Sequence, residues 1–151
     1  MELPPEITVP ISIEQGALYH FCIEVDGPKG KKYIGNRFFI VLNVNPKTDE
    51  VIVLTTITSR IEKAEMYIKK TGEDAGTLVR LSPADFPKLS VESIVNCNNI
   101  YPMTKEEIIN KLEGDGAKVF FEKLPKQIIE ALVGGVLKST QVSNEHKKLL
   151  I

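Results

Sequence analysis

Histidine and cysteine are scarce in this sequence, which contains two of each among 151 residues. Cys22 and Cys97 are far apart, and neither has a second cysteine or a histidine at a metal-binding spacing. We therefore interpret both as small strand residues. His20 falls within an expected strand and His146 near the end of the chain, so a hydrolase that works through paired histidines is disfavoured.

Long apolar runs and nucleotide-binding glycine motifs are also missing. No run approaches the roughly 20 residues that span a bilayer, and the opening MELPPEITVP lacks the basic lead and apolar core of a secretory signal. There is no phosphate-binding loop and no dinucleotide-binding fingerprint. We therefore expect a cytoplasmic protein, away from membranes, that uses no metal and no organic cofactor.

Neither sign of charge predominates, since 19 basic and 20 acidic residues give a net charge of −1. This balance argues against a broadly basic surface that coats nucleic acid, although it leaves room for a local basic groove. The hydrophobic fraction of 42% and the charged fraction of 26% are ordinary for a globular domain. The length suits one domain.

Short stretches of alternating apolar residues predict a mainly β protein. In ALYHFCIEV, the side chains of Tyr19, Phe21, Ile23 and Val25 share one face. The runs RFFIVLNV and VIVLTTIT, joined by NPKTDE, predict a hairpin. Residues 26–36, which lie between ALYHFCIEV and RFFIVLNV, predict a long loop. Further strands are expected at AEMYIKK, at TLVRL and at SIVNCNNIY, which would be the last strand.

Two helices are expected towards the C-terminus. Thr104 and Glu107 form a capping box before EEIINKL, and Pro125 opens a second helix with an apolar stripe. Gly134 and Gly135 inside that helix each cost about 1 kcal/mol relative to alanine, so we expect tight packing to compensate.

These elements predict an α+β, mainly β fold: a small antiparallel barrel with a C-terminal helix pair. Residues 1–15 form an irregular N-terminal lead, 16–139 the folded domain, and 140–151 a polar, frayed C-terminal tail.

Arginine and hydroxyl side chains supply the chemistry that remains. Arg37 heads the second strand, while Thr58 and Ser59 end the third. If the hairpin turns at 46–49, antiparallel pairing places Arg37 within side-chain reach of Thr58. A guanidinium beside a hydroxyl suits an oxyanion or a phosphate. Spacing alone favours a simpler interpretation, in which Arg37 is a surface residue at a strand end.

Five motifs follow one another in a familiar order: GALYHFCI, NRFFIVL, VIVLTTITSRIEKAE, SIVNCNNI and ALVGGVL. The series resembles that of the MazF/PemK family of toxin endoribonucleases from prokaryotic toxin–antitoxin pairs. That family has a glycine-led strand, an arginine heading an apolar strand, a strand ending in the pattern VIVxxIT, a strand with the pattern S-V-I-x-x-x-Q-I, and an apolar helix. The resemblance runs from about Gly16 to Ser139, and its specificity comes from the ordered sum of the motifs.

The resemblance implies a Src-homology-3-like barrel of the MazF/PemK/CcdB type that works as a homodimer. It implies a metal-independent, sequence-selective endoribonuclease that cleaves single-stranded RNA to a 2′,3′-cyclic phosphate and is neutralised by a cognate antitoxin. The catalytic Arg and Thr of the family fall on Arg37 and Thr58. Asn99 falls on the family's Gln.

Other residues are placed to bind RNA. Lysines in the 26–36 loop supply local positive charge for the RNA backbone, and a tyrosine there suits stacking on a splayed base. A solvated loop explains the same residues equally well. The expected RNA-binding residues are Lys29, Lys31, Lys32, Tyr33, Ser59 and Asn99.

A non-catalytic function stays open. Barrels of this type include a toxin that binds DNA gyrase, and a fold alone does not separate an enzyme from an interaction module. The pair of Arg37 and Thr58 discriminates between the two, because a pure binding module needs neither residue.

Overall fold

The computed structural model describes residues 3–26 and 32–151, of which 24–26 and 32–34 are described by their backbone alone. The strands are β1 (Leu18–Asp26), β2 (Lys32–Val41), β3 (Ile52–Thr58), β4 (Leu78–Leu81), β5 (Ser93–Asn96), β6 (Tyr101–Met103) and β7 (Lys118–Phe120). The helices are α1 (Pro5–Ser12), α2 (Ile61–Thr71), α3 (Lys105–Leu112), α4 (Lys126–Lys138) and α5 (Asn144–Lys147).

The strands form one antiparallel sheet in the order β4-β5-β3-β2-β1-β7. Strand β3 is central: one edge pairs with β2, while the other pairs with β6 at its start and with β5 at its end. The α+β, mainly β class is therefore confirmed. The sheet is not closed, however, in contrast to the predicted barrel. Its outer strands are only three or four residues long, and helices cover its faces instead.

Apolar side chains cover both faces of the sheet. On one face, Tyr19, Phe21 and Phe39 are fully buried with Val9 from α1 and Ile108 from α3. This is the face predicted from the alternation in β1. The opposite face carries a second core, which includes Leu18, Ile40, Val53, and Leu132 and Val136 from α4. The sheet is thus an inner layer between two groups of helices.

Both chain ends are more ordered than the sequence predicts. The lead is helical over Pro5–Ser12, because Pro5 suits a first helical turn and Val9 is buried against the sheet. The tail also packs on the core: Val142 and Leu150 are 5% and 2% exposed. The structure thus has a helix where the sequence predicts an irregular lead, and a packed segment where it predicts a frayed tail.

Three other element predictions need correction. The segment predicted as the strand AEMYIKK lies within helix α2. In the 26–36 segment predicted as a loop, Asp26 ends β1 and residues 32–36 begin β2, while residues 27–31 lie outside the described chain. SIVNCNNIY is divided by a turn into β5 and the start of β6, and β7 follows both.

Local signals elsewhere are confirmed. The β2–β3 hairpin is antiparallel. The Thr104 side chain accepts a hydrogen bond from the Glu107 amide, and the Glu107 carboxylate accepts one from the Thr104 amide, which completes the capping box of α3. Among the described helices, none is long and apolar enough to cross a membrane.

Candidate functional site

A cleft of about 780 Å³ opens beside the end of β3. Its walls come from β2, β3, β6, the turn after β5, and helix α2. The lining residues are Arg37, Thr56, Thr58, Arg60, Glu62, Lys63, Ala64, Met66, Tyr67, Lys70, Asn96, Asn99 and Tyr101. Four of these carry a positive charge and one, Glu62, carries a negative charge, in a chain whose net charge is −1.

The hairpin register brings Arg37 and Thr58 to the same wall of the cleft. Phe39 pairs with Thr56 at the end of the β2–β3 ladder. Strand alternation places Arg37 on the same face as Phe39, and Thr58 on the same face as Thr56. Both residues are half-buried and line the cleft. Among the side chains that the structure describes, none forms a hydrogen bond or an ion pair with the Arg37 guanidinium.

The three threonines of β3 have different environments. The Thr58 hydroxyl oxygen accepts a hydrogen bond from the Arg60 amide at 3.2 Å, and its own hydrogen remains available for donation. Thr56 also lines the cleft, but its hydroxyl donates to the Phe38 carbonyl at 2.9 Å. Thr55 is buried on the opposite face, without a partner for its hydroxyl among the described residues. Thr58 is therefore the threonine most suited to meet a ligand.

Tyr101 is a cleft residue that sequence reasoning missed. It pairs with Leu54 of β3, and its ring makes an edge contact with Phe39 at a centroid distance of 5.4 Å. Burial raises the pKa of the Tyr101 hydroxyl, and the positive charge of Arg37 partly opposes that rise. The hydroxyl is thus a neutral donor near Arg37 at physiological pH.

A hydrogen-bonded turn presents Asn99 to the cleft. Asn98 is buried and donates from its side-chain amide to Thr77 Oγ1 at 2.8 Å and to Asn96 Oδ1 at 2.9 Å. The Asn98 backbone amide also donates to Asn96 Oδ1. These bonds hold the turn against the preceding strand, and the exposed Asn99 amide lies at its tip. An amide in this position can read a base edge or bind a phosphate.

The remaining predicted RNA-binding residues do not gather at the cleft in the described chain. Lys29 and Lys31 lie outside the described residues, and Lys32 and Tyr33 belong to β2, where only their backbone is described. Ser59 is exposed after β3 but does not line the cleft. Of the six residues, Asn99 alone is placed there among the described side chains.

His20 lies on the opposite face of the sheet from Arg37. Its ring contacts Phe38 at a centroid distance of 4.6 Å, and burial lowers its pKa. We therefore interpret His20 as a strand residue packed against Phe38. Over the described residues, no group of three or more His, Cys, Asp or Glu side chains is arranged to hold a metal ion.

The fold and the cleft define a mainly β protein with a cationic, hydroxyl-bearing cleft at the end of its central strand. The sequence matches no protein-family model and no curated protein. Among solved structures, the chain is similar to the crystal structure of MazE-MazF (Form-III) from Deinococcus radiodurans. The sequence identity is 15%, the match covers 83% of this chain and 92% of that chain, and the TM-score is 0.48. MazF is one of the two names of the family that the sequence motifs resemble, but a likeness at this level carries no argument about activity.

Proposed function

We propose that this protein is a metal-independent endoribonuclease toxin that cleaves single-stranded RNA and leaves a 2′,3′-cyclic phosphate. The observation that supports the proposal is that Arg37 and Thr58 both line one open cleft with more positive than negative side chains. The ordered sequence motifs from Gly16 to Ser139 support it independently.

In the proposed reaction, the ribose 2′-oxygen forms a bond to phosphorus and loses its proton to solvent. The bond from phosphorus to the 5′-oxygen breaks, and that oxygen takes a proton from solvent. Negative charge builds up on the phosphoryl oxygens in the transition state. Arg37 offers a planar set of hydrogen-bond donors to that charge. No described side chain pairs with the Arg37 guanidinium itself.

Thr58 acts in this scheme as a hydrogen-bond donor. The Arg60 amide fixes the hydroxyl oxygen, so that its hydrogen turns towards a ligand in the cleft. A threonine hydroxyl is a poor base on its own. We therefore assign it to the positioning of the phosphate or to proton relay rather than to proton abstraction.

The test is cleavage of mixed-sequence RNA by purified protein in excess EDTA, beside the variants Arg37→Ala and Arg80→Ala. Arg80 is the matched control, because it is exposed and pairs with Glu65 at 3.0 Å, outside the cleft lining. We expect wild type and Arg80→Ala to cleave. Arg37→Ala should lose about 100- to 1,000-fold in rate, the usual effect of removing one donor to a developing oxyanion.

Products with a 2′,3′-cyclic phosphate end would identify the 2′-oxygen as the nucleophile. Cleavage that persists in Arg37→Ala would remove Arg37 from the reaction. No cleavage by wild type would sink the enzyme proposal and favour a module that binds a protein target.

The proposal extends to partners and location. By resemblance, the protein works as a homodimer in the cytoplasm, and a cognate antitoxin covers the cleft to inhibit it. Co-expression with the antitoxin should then protect cellular RNA, while expression alone should degrade it.

A further inference from the structure

One face of helix α2 forms the wall of the cleft opposite the sheet. Six residues of α2 line the cleft. Two of them are Glu62 and Ala64, and the other four, Lys63, Met66, Tyr67 and Lys70, share this face. Their spacing of three, four and seven residues places them on one side of an α-helix. Lys63 and Lys70 are exposed, while Tyr67 is half-buried.

The α2 residues that line the cleft carry two positive charges, from Lys63 and Lys70, and one negative charge, from Glu62. Among the described residues, no carboxylate lies within ion-pair distance of Lys63 or Lys70. Glu65 points away from the cleft and pairs with Arg80 of β4 at 3.0 Å. An exposed lysine that forms no ion pair with a described carboxylate can bind an anion from solution.

The anion that fits this wall is an extended, multiply charged chain rather than a single small anion. Seven residues of helix separate Lys63 from Lys70 by roughly 10 Å along the axis, and the cleft volume of about 780 Å³ exceeds the needs of one phosphate. Tyr67 places an aromatic ring between the two lysines. Phosphate-binding cations interleaved with a ring for stacking are the arrangement that single-stranded nucleic acids require.

We propose that Lys63, Tyr67 and Lys70 form a second subsite, which holds the phosphate backbone and one base of a single-stranded RNA next to Arg37 and Thr58. The subsite rests on the RNA substrate of the proposed function and adds the contacts beyond the reacting phosphate. Lys63 and Lys70 each bind a phosphate, and Tyr67 stacks on a base between them.

The test is binding of a short, labelled 2′-O-methyl RNA pool, which has no free 2′-hydroxyl and stays intact during the measurement. Wild type is compared with the double variant Lys63→Ala/Lys70→Ala between about 50 and 200 mM salt. Loss of two phosphate contacts should reduce the slope of log affinity against log salt by about 1.4. Between about 50 and 200 mM salt, the fold-loss of affinity in the double variant should therefore be about sevenfold smaller than in wild type.

Lys69→Ala is the matched control, because Lys69 lies on the same helix, is exposed, and does not line the cleft. We expect its slope to equal that of wild type. For Tyr67, Tyr67→Phe should keep the affinity, whereas Tyr67→Ala should lose at least about fivefold. A slope reduction in Lys69→Ala half as large as that in the double variant would overturn the subsite, since each lost charge would then count equally wherever it lies.

The outcomes separate this subsite from the proposed catalysis. Binding that depends on Lys63 and Lys70 in a protein that cleaves no RNA would support the subsite and refute the enzyme. Cleavage with unchanged RNA affinity in the double variant would refute the subsite alone. A competing acidic peptide whose affinity falls in the double variant, while RNA affinity does not, would overturn the proposal and assign the face to a protein segment.

Discussion

At the scale of single residues, the Tyr101 hydroxyl is an uncharged hydrogen-bond donor that can take part in the proposed reaction. It shares the cleft with Arg37, whose charge influences the Tyr101 pKa. The ring is held independently of the hydroxyl by its edge contact with Phe39. The hydroxyl can therefore be removed without disturbing the fold, which separates its chemical role from its packing.

Tyr101→Phe should reduce RNA cleavage by about tenfold, because it removes one hydrogen bond to a charged phosphate or to the group that positions it. The free energy of unfolding should remain within about 0.5 kcal/mol of wild type. Single-turnover cleavage rates and chemical denaturation measure the two effects. Full activity in Tyr101→Phe would show that Tyr101 serves packing alone.

The cleft residues differ in how well their positions can be predicted from the sequence. The sequence could predict that Arg37 and Thr58 lie near each other, because the register of a hairpin follows from the position of its turn. The position of Tyr101 could not be predicted, because SIVNCNNIY has the pattern of one strand. The turn that divides it depends on the bond between Asn98 and Thr77, which are distant in sequence.

At the scale of elements, helix α2 was missed although its end signals are present. Glu62 lies in its first turn, Lys69 and Lys70 in its last, and Gly72 follows with a left-handed φ of +73°. These are ordinary helix boundary signals. The alternation of Met66 and Ile68 over a few residues outweighed them in the prediction. Because the helix was missed, one wall of the cleft was missed with it.

Helix α4 contains a matched pair of glycines with opposite environments. A Cβ on Gly135 would lie 2.7 Å from Cys97 Sγ and 3.1 Å from the Gly76 carbonyl oxygen. A Cβ on Gly134 would meet nothing within 4 Å. The expected compensation by tight packing therefore holds at Gly135 and not at Gly134.

Gly135→Ala should lower the free energy of unfolding by about 1–3 kcal/mol, because the added methyl group overpacks the contact with Cys97. Gly134→Ala should raise it by about 0.5–1 kcal/mol, the gain of alanine over glycine in an open helix interior. Urea denaturation of both variants measures the pair. Stabilisation by Gly135→Ala would mean that α4 moves away from Cys97 without loss.

At the scale of the whole molecule, the C-terminal segment joins the core that α4 and the sheet share. Val142 and Leu150 belong to this core, and the Leu149 carbonyl accepts a hydrogen bond from the Val44 amide at 3.0 Å. At the start of the segment, the Glu73 carboxylate accepts bonds from the Thr140 amide and hydroxyl. The polar composition of the segment hides these contacts in the sequence. Only three apolar side chains of the segment, Val142, Leu149 and Leu150, pack on the core, and most of their partners are far away in sequence.

If the tail is part of the cooperative unit, its last two apolar residues should behave differently. Leu150 is 2% exposed and Ile151 is 76% exposed. Leu150→Ala should lower the free energy of unfolding by about 2–5 kcal/mol in a single transition, because it leaves a cavity in the shared core. Ile151→Ala should change it by less than about 0.5 kcal/mol. Equal, negligible effects in urea denaturation would mean that the tail frays in solution and that the core closes without it.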